Sequence, residues 1–256
     1  MQTLNARLVR HASFTEYHEK LQDLDLLVPL FGKTLPYYEN DLNTLDKDAL
    51  VTYMQNGIHW AKRRDKSNPT DSPSEKIRRA KRRDAFEIHC AHILSLLPAT
   101  PEWTDALNKP DKWDNRTLLQ ECLLQKKTGI LLVPLLLTKF KVDISHCGNV
   151  NVNANHEAID KKENALYLAL GKTLLDKFSV YDVNRLSIFL KTIVENRPDI
   201  LIDQRISMSI IKNTQGKNVC SLLKANIKEI KANNLFTCFQ QLFQPWLSDE
   251  DYNELF

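Results

Sequence analysis

Three short stretches of similar pattern decide how this chain folds: 114-DNRTLLQECLL-124, 162-KENALYLALGK-172 and 215-QGKNVCSLLKA-225. Each contains a small polar residue, followed two and five positions later by a small or apolar one. The polar residues are Thr117, Asn164 and Asn218. Residues of this type favour the N-cap of a helix, and the two later positions lie on one side of that helix. The pattern predicts three short helices, each capped by its polar residue.

A second apolar segment follows each stretch, at 129–144, 184–201 and 233–243. The repeating unit is therefore a tight turn, a short helix, a break and a second helix. This unit resembles the ankyrin repeat, whose hallmark is a turn followed by Thr-Pro-Leu-His and, one residue on, Ala. The corresponding residues are TLLQEC at 117–122, NALYLA at 164–169 and NVCSLL at 218–223, with Asn115 or Gly216 in the turn.

The copies lie 47 and 54 residues apart, whereas an ankyrin period is about 33 residues. The resemblance therefore implies insertions in the loops, such as residues 145–162. It also implies a stack of helix pairs that binds a protein partner along a concave face, with contacts from hairpin tips and first helices. The residues carried over to that role are Asn115, Arg116, Glu121, Lys162, Glu163, Gln215 and Lys217.

Composition favours an all-α fold. Helix-compatible residues dominate the 256-residue chain, and six glycines are too few for a glycine-turned β protein. No strand-like alternation persists long enough to predict a sheet. We expect a helical N-terminal region over 1–98, with a basic linker at 62–83, followed by an ankyrin-like repeat domain over 99–256.

Several helices are predicted within the N-terminal region. Apolar spacing predicts helices within 14–31 and within 46–64, the second capped by Asp46 or Asp48. A third helix is predicted over 75–97, capped by Ser72 or Ser74 and ended by Pro98, with a solvated first half and a buried second half. Residues 98–113 are predicted to form a loop with a short helical turn.

Two basic clusters flank a polar segment in KRRDKSNPTDSPSEKIRRAKRR, residues 62–83. The arrangement resembles a bipartite nuclear localisation signal, which would bind a nuclear import carrier. Alternatives are a patch for a polyanion, either nucleic acid or anionic lipid, and an ordinary solvated helix face. The cations concerned are Lys62, Arg63, Arg64, Lys76, Arg78, Arg79, Lys81, Arg82 and Arg83.

Bulk properties favour a soluble cytoplasmic protein. The formal charge of +3 is too small for a nucleic-acid coat protein. The odd number of scattered cysteines, five, is typical of reduced thiols in the cytosol. The longest apolar run, 129–137, is about half the length of a membrane span and contains Pro134.

We find no catalytic motif and predict neither a cofactor nor a metal ion. His89 and His92 share a helix face, but a third ligand is unassigned. Cys147 follows His146, although sequence adjacency does not place a base to activate the thiol. One alternative function is an enzyme whose active site lies in the N-terminal region, near His59, Glu87, His89 or His92, with the repeats selecting the substrate.

The end of the chain, 245-PWLSDEDYNELF-256, combines an acidic cluster with two terminal apolar residues. It resembles the acidic C-terminal signals of bacterial effectors that type IV secretion delivers into host cells. This resemblance implies a host protein as the partner, and action inside the host cell, where the basic segment would allow nuclear entry. The leading hypothesis is an effector that binds a host protein through ankyrin-like repeats.

Overall fold

The computed structural model describes residues 46–65, 72–112, 115–125, 128–150, 161–175, 180–197 and 218–256. The helix predicted within 14–31 lies outside these ranges. The chain divides into two compact units, with the boundary between Leu97 and Pro98. The described residues are predominantly helical, so the prediction of an all-α protein is confirmed.

The first unit contains α1 (Lys47–Asp65) and α2 (Pro73–Leu96), which pack against each other. Asp46 caps α1 by accepting from the backbone N–H groups of Asp48 and Ala49 at 3.0 and 3.1 Å. Ser72 caps α2 by accepting from Glu75 N at 3.2 Å. Both caps confirm one of the two residues predicted for each helix.

Burial changes along α2 as predicted. In its first half the chain is solvated, and Ile77 is 58% exposed. In its second half the apolar residues Phe86, Cys90, Leu94 and Leu97 are buried. The extended conformation of Leu97 ends the helix before Pro98, because the residue that precedes a proline disfavours helical geometry.

The second unit begins with α3 (Pro101–Asn108), which is longer than the single turn predicted for 98–113. Pro101 occupies its first turn, where a missing N–H costs no hydrogen bond. Trp103, Ala106 and Leu107 are buried. Burial of this face stabilises two turns where propensity alone would predict one.

Two helix pairs follow α3: α4 (Leu118–Leu124) with α5 (Leu132–Thr138), and α6 (Ala165–Leu175) with α7 (Val180–Asn196). Within each pair the two helices pack on each other. Across the pairs, α4 packs on α6 and α5 packs on α7. First helices therefore contact each other, and so do second helices.

Hydrogen bonds tie these elements together. Thr173 Oγ1 donates to the carbonyl of Asp182 at 3.2 Å, which joins α6 to α7. An Arg197 guanidinium nitrogen donates to the carbonyl of Leu137 at 3.4 Å, which joins the end of α7 to α5. The core of this layer is apolar and includes the fully buried Leu136, Phe189 and Leu190.

A short antiparallel ladder connects the two pairs, formed by β1 (Gly148–Val150) and β2 (Lys161–Glu163). Its register pairs Gly148 with Glu163 and Val150 with Lys161. The alternation of residues in the sequence did not predict this ladder of six residues. The strands are too short to show alternation in the sequence, and they form where the two ends of the 145–162 insertion meet.

The chain ends with α8 (Val219–Ala232), α9 (Phe236–Phe243) and α10 (Asp249–Leu255). Helix α8 packs on both α9 and α10, and α9 packs on α7. Phe239, Phe243 and Trp246 are fully buried in this part of the unit. Among the described residues, none of the helices is both long and apolar enough to cross a membrane.

Candidate functional site

A buried group of polar residues lies at the start of α4 in the second unit. The side chains of Arg116 and Glu121 are 3% and 2% exposed, and a guanidinium nitrogen of Arg116 lies 2.7 Å from Glu121 Oε1. Gln125 Nε2 donates to the other carboxylate oxygen at 3.1 Å. A buried charge pair is tolerated only when its remaining hydrogen-bonding groups are also satisfied. The hydrogen bond from Gln125 satisfies the second carboxylate oxygen of Glu121.

Thr117 and Gln120 form a reciprocal capping box at the N-terminus of α4. Gln120 N donates to Thr117 Oγ1 at 3.4 Å, and Thr117 N donates to Gln120 Oε1 at 2.9 Å. This arrangement satisfies two backbone donors that the first turn of a helix otherwise leaves unpaired. The predicted cap at Thr117 is confirmed.

The same turn is connected to the segment that leads into β1. Gln120 Nε2 donates to the carbonyl of His146 at 2.6 Å, and Asn115 Nδ2 donates to the carbonyl of Cys147 at 3.3 Å. His146 Nε2 lies 3.0 Å from the carbonyl oxygen of Asn115. Residues 115–120 and 146–147 therefore form one hydrogen-bonded group, which we call the turn cluster. The turn cluster fixes the residues that lead into β1, where the β1–β2 ladder begins.

Two backbone positions allow this close approach. Asn115 has φ 50, a left-handed conformation that asparagine adopts more readily than most residues. A Cβ on Gly148 would lie 2.7 Å from Gln120 Oε1 and 2.8 Å from Arg116 Cγ. Glycine at this position therefore lets β1 pack directly against the turn.

The other two copies of the pattern are capped in the same way. Asn164 Oδ1 accepts from Tyr167 N at 3.0 Å at the start of α6. Asn218 Oδ1 accepts from Ser221 N at 2.7 Å at the start of α8. Both predicted caps are confirmed. Leu119 and Leu166, equivalent in the pattern, are each 1% exposed, while Cys220 is half-buried.

Two of the predicted partner contacts need correction. Arg116 and Glu121 were expected on an exposed face, and that expectation is wrong because they are buried and ion-paired with each other. Asn115 is half-buried in the turn cluster. Lys162 and Glu163 lie on β2, with side chains outside the described set. Gln215 and Lys217 lie outside the described residues.

Comparisons with protein-family models, with curated proteins and with solved structures find no match to this chain.

The basic segment begins at the end of α1 and continues into the first half of α2. Lys76, Arg78 and Lys81 are exposed, and Arg83 is half-buried. Arg78 pairs with Glu75 at 2.6 Å, and Arg83 with Asp84 at 3.4 Å. Lys62, Arg63, Arg64, Arg79 and Arg82 lie on the same two helices, with side chains outside the described set.

The candidate acid–base residues of the first unit lie in the buried half of α2. Glu87 and His89 are 5% and 7% exposed, and His92 is half-buried. Burial, with a contribution from His92, lowers the pKa of His89 to about 4, so His89 is neutral at pH 7. The side chain of His59 lies outside the described set. Within the described ranges, no group of three or more His, Cys, Asp or Glu residues could hold a metal ion.

All five cysteines are free thiols. Cys90 is fully buried, and burial raises its pKa well above the ordinary value. Partial burial and the nearby Asp251 carboxylate raise the pKa of Cys220 to about 11. Both thiols are protonated at neutral pH and therefore poor nucleophiles. Cys147 is exposed beside the turn cluster, where its Sγ lies 3.5 Å from the carbonyl oxygen of Ser145.

The acidic end of the chain forms α10. Ser248 caps it by accepting from Asp251 N at 3.1 Å, and three acidic residues occupy its first turn. Lys224 of α8 pairs with Glu254, the ring of Phe256 packs edge-on against Phe236 at 5.5 Å, and Leu255 is buried. The terminal residues are therefore part of the packed unit.

Sequence inspection missed most of the turn cluster. Thr117 and Gln120 have the spacing of a capping box, and that signal could have been read directly. Asp111, which is hydrogen-bonded to the turn cluster, offered no such signal. Its backbone N–H donates to the carbonyl of Arg116, and its carboxylate accepts from Arg116 N. His146 offered no signal either, because it lies 26 positions from Gln120 in the sequence and only the folded chain brings the two together.

Proposed function

We propose that this chain binds another protein, and that its second unit is a divergent ankyrin-like stack whose hairpin between α5 and α6 provides the main contact. The observation that carries the proposal is the packing order of the helices. Across the first two pairs the first helices, α4 and α6, pack on each other and so do the second helices, α5 and α7; α9 then packs on α7. Repeat stacks bury their apolar faces in this way, since each pair covers its neighbour.

The turn cluster supports the same interpretation. Gln120 occupies the position of the histidine in the ankyrin hallmark, and it links its own turn to the carbonyl of His146, before the next helix pair. A fixed turn of this kind anchors the projecting ladder of β1 and β2. Because residues of loops on a rigid scaffold commonly bind partners, we assign the contact surface to the ladder, β1 (Gly148–Val150) and β2 (Lys161–Glu163).

Charge reversal on the ladder tests this proposal. Lys162→Glu changes one charge on β2, and Lys228→Glu makes the matched change on the exposed face of α8. Both variants and the unaltered chain would be used to capture proteins from a eukaryotic lysate, followed by measurement of Kd with the purified prey. We expect Lys162→Glu to weaken binding about tenfold or more and Lys228→Glu to leave it unchanged. Equal effects of the two variants, or none from either, would contradict the proposal.

The second part of the proposal is that the chain is a bacterial effector and that the partner is a host protein. The support is the acidic residues of α10 and the resemblance of the chain's end to type IV secretion signals. The test is delivery of a reporter-tagged chain into host cells. Replacing Asp249, Glu250 and Asp251 by amides should abolish delivery, whereas an equal number of changes at exposed positions of α2 should not. Unchanged delivery would contradict this part and leave the binding proposal standing.

A further inference from the structure

The folded basic segment has a property that its linear sequence does not reveal: its two clusters come from two helices that pack together. Lys62, Arg63 and Arg64 belong to the last turn of α1, and Lys76 to Arg83 belong to the first half of α2. Lys76, Arg78 and Lys81 are exposed. The relative direction of the two helices decides whether the two basic clusters lie far apart or close together.

Phe86 fixes the level at which α1 and α2 meet. Its ring centroid lies 5.6 Å from that of Tyr53, and a Cβ on Gly57 would lie 1.9 Å from its Cζ. If the helices were parallel, this contact would place residues 65 and 73 about 33 Å apart. The connection between those residues reaches at most about 29 Å. The helices therefore run in opposite directions and form a helical hairpin.

In that hairpin, the residues that follow Gly57 in α1 lie beside the residues that precede Phe86 in α2. Residues 62–64 come level with about residues 79–81, because both helices advance by the same distance per residue. The two basic clusters therefore lie at the same end of the hairpin. The axes of the two helices that carry them are about 8 to 10 Å apart, the usual separation of packed helices.

From this placement we infer that the open end of the α1–α2 hairpin binds the phosphate backbone of double-stranded nucleic acid. The separation of the two basic helix segments is comparable with the width of the duplex grooves, about 6 to 12 Å. Each lysine or arginine that neutralises a phosphate releases a condensed counterion, so such binding is strong at low salt. This site is independent of the proposed protein-binding surface.

The surrounding residues favour a duplex over other polyanions. Between residues 61 and 84 the chain has no Phe, Tyr or Trp, whereas proteins that bind single strands stack bases on aromatic rings. An interfacial membrane helix buries a broad apolar face. Ile77 is the large exposed apolar residue in the basic half of α2, and one such side chain does not provide that face.

Fluorescence anisotropy with the full chain and a labelled DNA duplex of about 20 base pairs, between about 50 and 200 mM salt, tests the site. Lys62→Ala with Arg63→Ala removes two charges from α1, and Lys76→Ala with Lys81→Ala removes two from α2. Each pair should weaken binding about tenfold and reduce the slope of log K against log salt by about 2. The matched control, Lys191→Ala with Lys228→Ala, removes two exposed lysines of the second unit and should change neither quantity.

Two further variants separate charge from folding. Lys76→Arg with Lys81→Arg keeps the charges and should keep the affinity. Glu75→Gln frees Arg78 from its ion pair and should tighten binding by up to about fivefold. Circular dichroism of every variant should match that of the unaltered chain.

Several results would overturn the inference. These are an absence of duplex binding at low salt, a slope that falls for one helix pair and not the other, or an equal effect from the control pair. Equal or tighter binding of a single strand, or of vesicles made from equal parts of phosphatidylcholine and phosphatidylserine, would also overturn it, and would instead favour a base-stacking or a lipid site.

Discussion

Two arginine–glutamate pairs of nearly equal length lie in different surroundings. Arg116 and Glu121 are 2.7 Å apart at 3% and 2% exposure, whereas Arg78 and Glu75 are 2.6 Å apart at 57% and 32% exposure. In water, a pair of this kind contributes little because solvent screens it and two long side chains must be ordered. In the interior, loss of one partner leaves an uncompensated buried charge. Burial, more than distance, decides what such a pair does.

The difference also separates the two proposed functions. The buried pair belongs to the turn that fixes the ladder of β1 and β2, so its role is to position a surface that lies elsewhere. The exposed pair belongs to the first half of α2, where Lys76 and Lys81 are also exposed and where we propose the contact with nucleic acid. Charged residues of the same type are therefore buried as structure in one unit and form the proposed contact surface in the other.

The largest expected effect is the loss of the buried pair. Glu121→Ala should reduce the free energy of unfolding of the second unit by about 3 to 5 kcal/mol, because Arg116 would remain buried without its carboxylate. Glu75→Ala in the exposed pair should change the free energy of unfolding by less than about 1 kcal/mol. Urea unfolding of both variants measures the two effects. Similar losses would remove the distinction between the pairs.

The next effect concerns pH and the buried half of α2. The pKa of His89 is lowered to about 4 in the folded chain, while an unfolded histidine has a pKa of about 6.5. The unfolded chain therefore binds more protons below pH 6.5, and stability falls as the pH drops from about 6.5 towards 4, by about 3 kcal/mol in total. Urea midpoints across this range should show the fall, and His89→Gln should flatten it. An equal slope in the variant would assign the pH dependence to other groups.

A smaller effect is expected where the ladder meets the turn. Gly148→Ala would place a methyl group 2.7 Å from Gln120 Oε1 and 2.8 Å from Arg116 Cγ. The neighbours must shift, and the cost should be about 1 to 3 kcal/mol. Thermal unfolding measures it, and a loss of hydrogen-exchange protection at residues 146–148 should accompany it. An unchanged Tm would indicate that the turn cluster is looser than the close contacts at Gly148 suggest.

The smallest expected difference is between two helix caps. Thr117 is 2% exposed, and Thr117→Ala should cost about 1 to 2 kcal/mol because it also removes half of the capping box. Ser72 is exposed, and Ser72→Ala should cost about 0.5 to 1 kcal/mol. Chemical denaturation of both variants gives the comparison. A larger loss at Ser72 would reverse the order that burial predicts.

The sequence predicted the elements whose signals are local. Caps at Asp46, Ser72, Thr117, Asn164 and Asn218, and the end of α2 before Pro98, follow from residue types that act within one helical turn. The change from solvated to buried residues along α2 could also be predicted, because KIRRAKRR and AFEIHCAHILSLL differ in composition.

The rest depended on contacts between distant residues. Nothing in the sequence marks Arg116 and Glu121 as buried, since charged residues at a turn usually face water. Their burial results from Gln125 and the packed helices around them. The β1–β2 ladder joins residues 11 positions apart at its inner pair, Val150 and Lys161. The inferred approach of the two basic clusters depends on the direction in which α2 returns along α1.

The central claim is that the turn cluster holds the ladder of β1 and β2 as the surface that a protein partner contacts. Hydrogen–deuterium exchange of the chain with and without its captured partner tests this most directly. The account predicts added protection at residues 145–150 and 161–164, with α8 and α10 unchanged. Protection confined to α8 and α10, with the ladder unaffected, would contradict it.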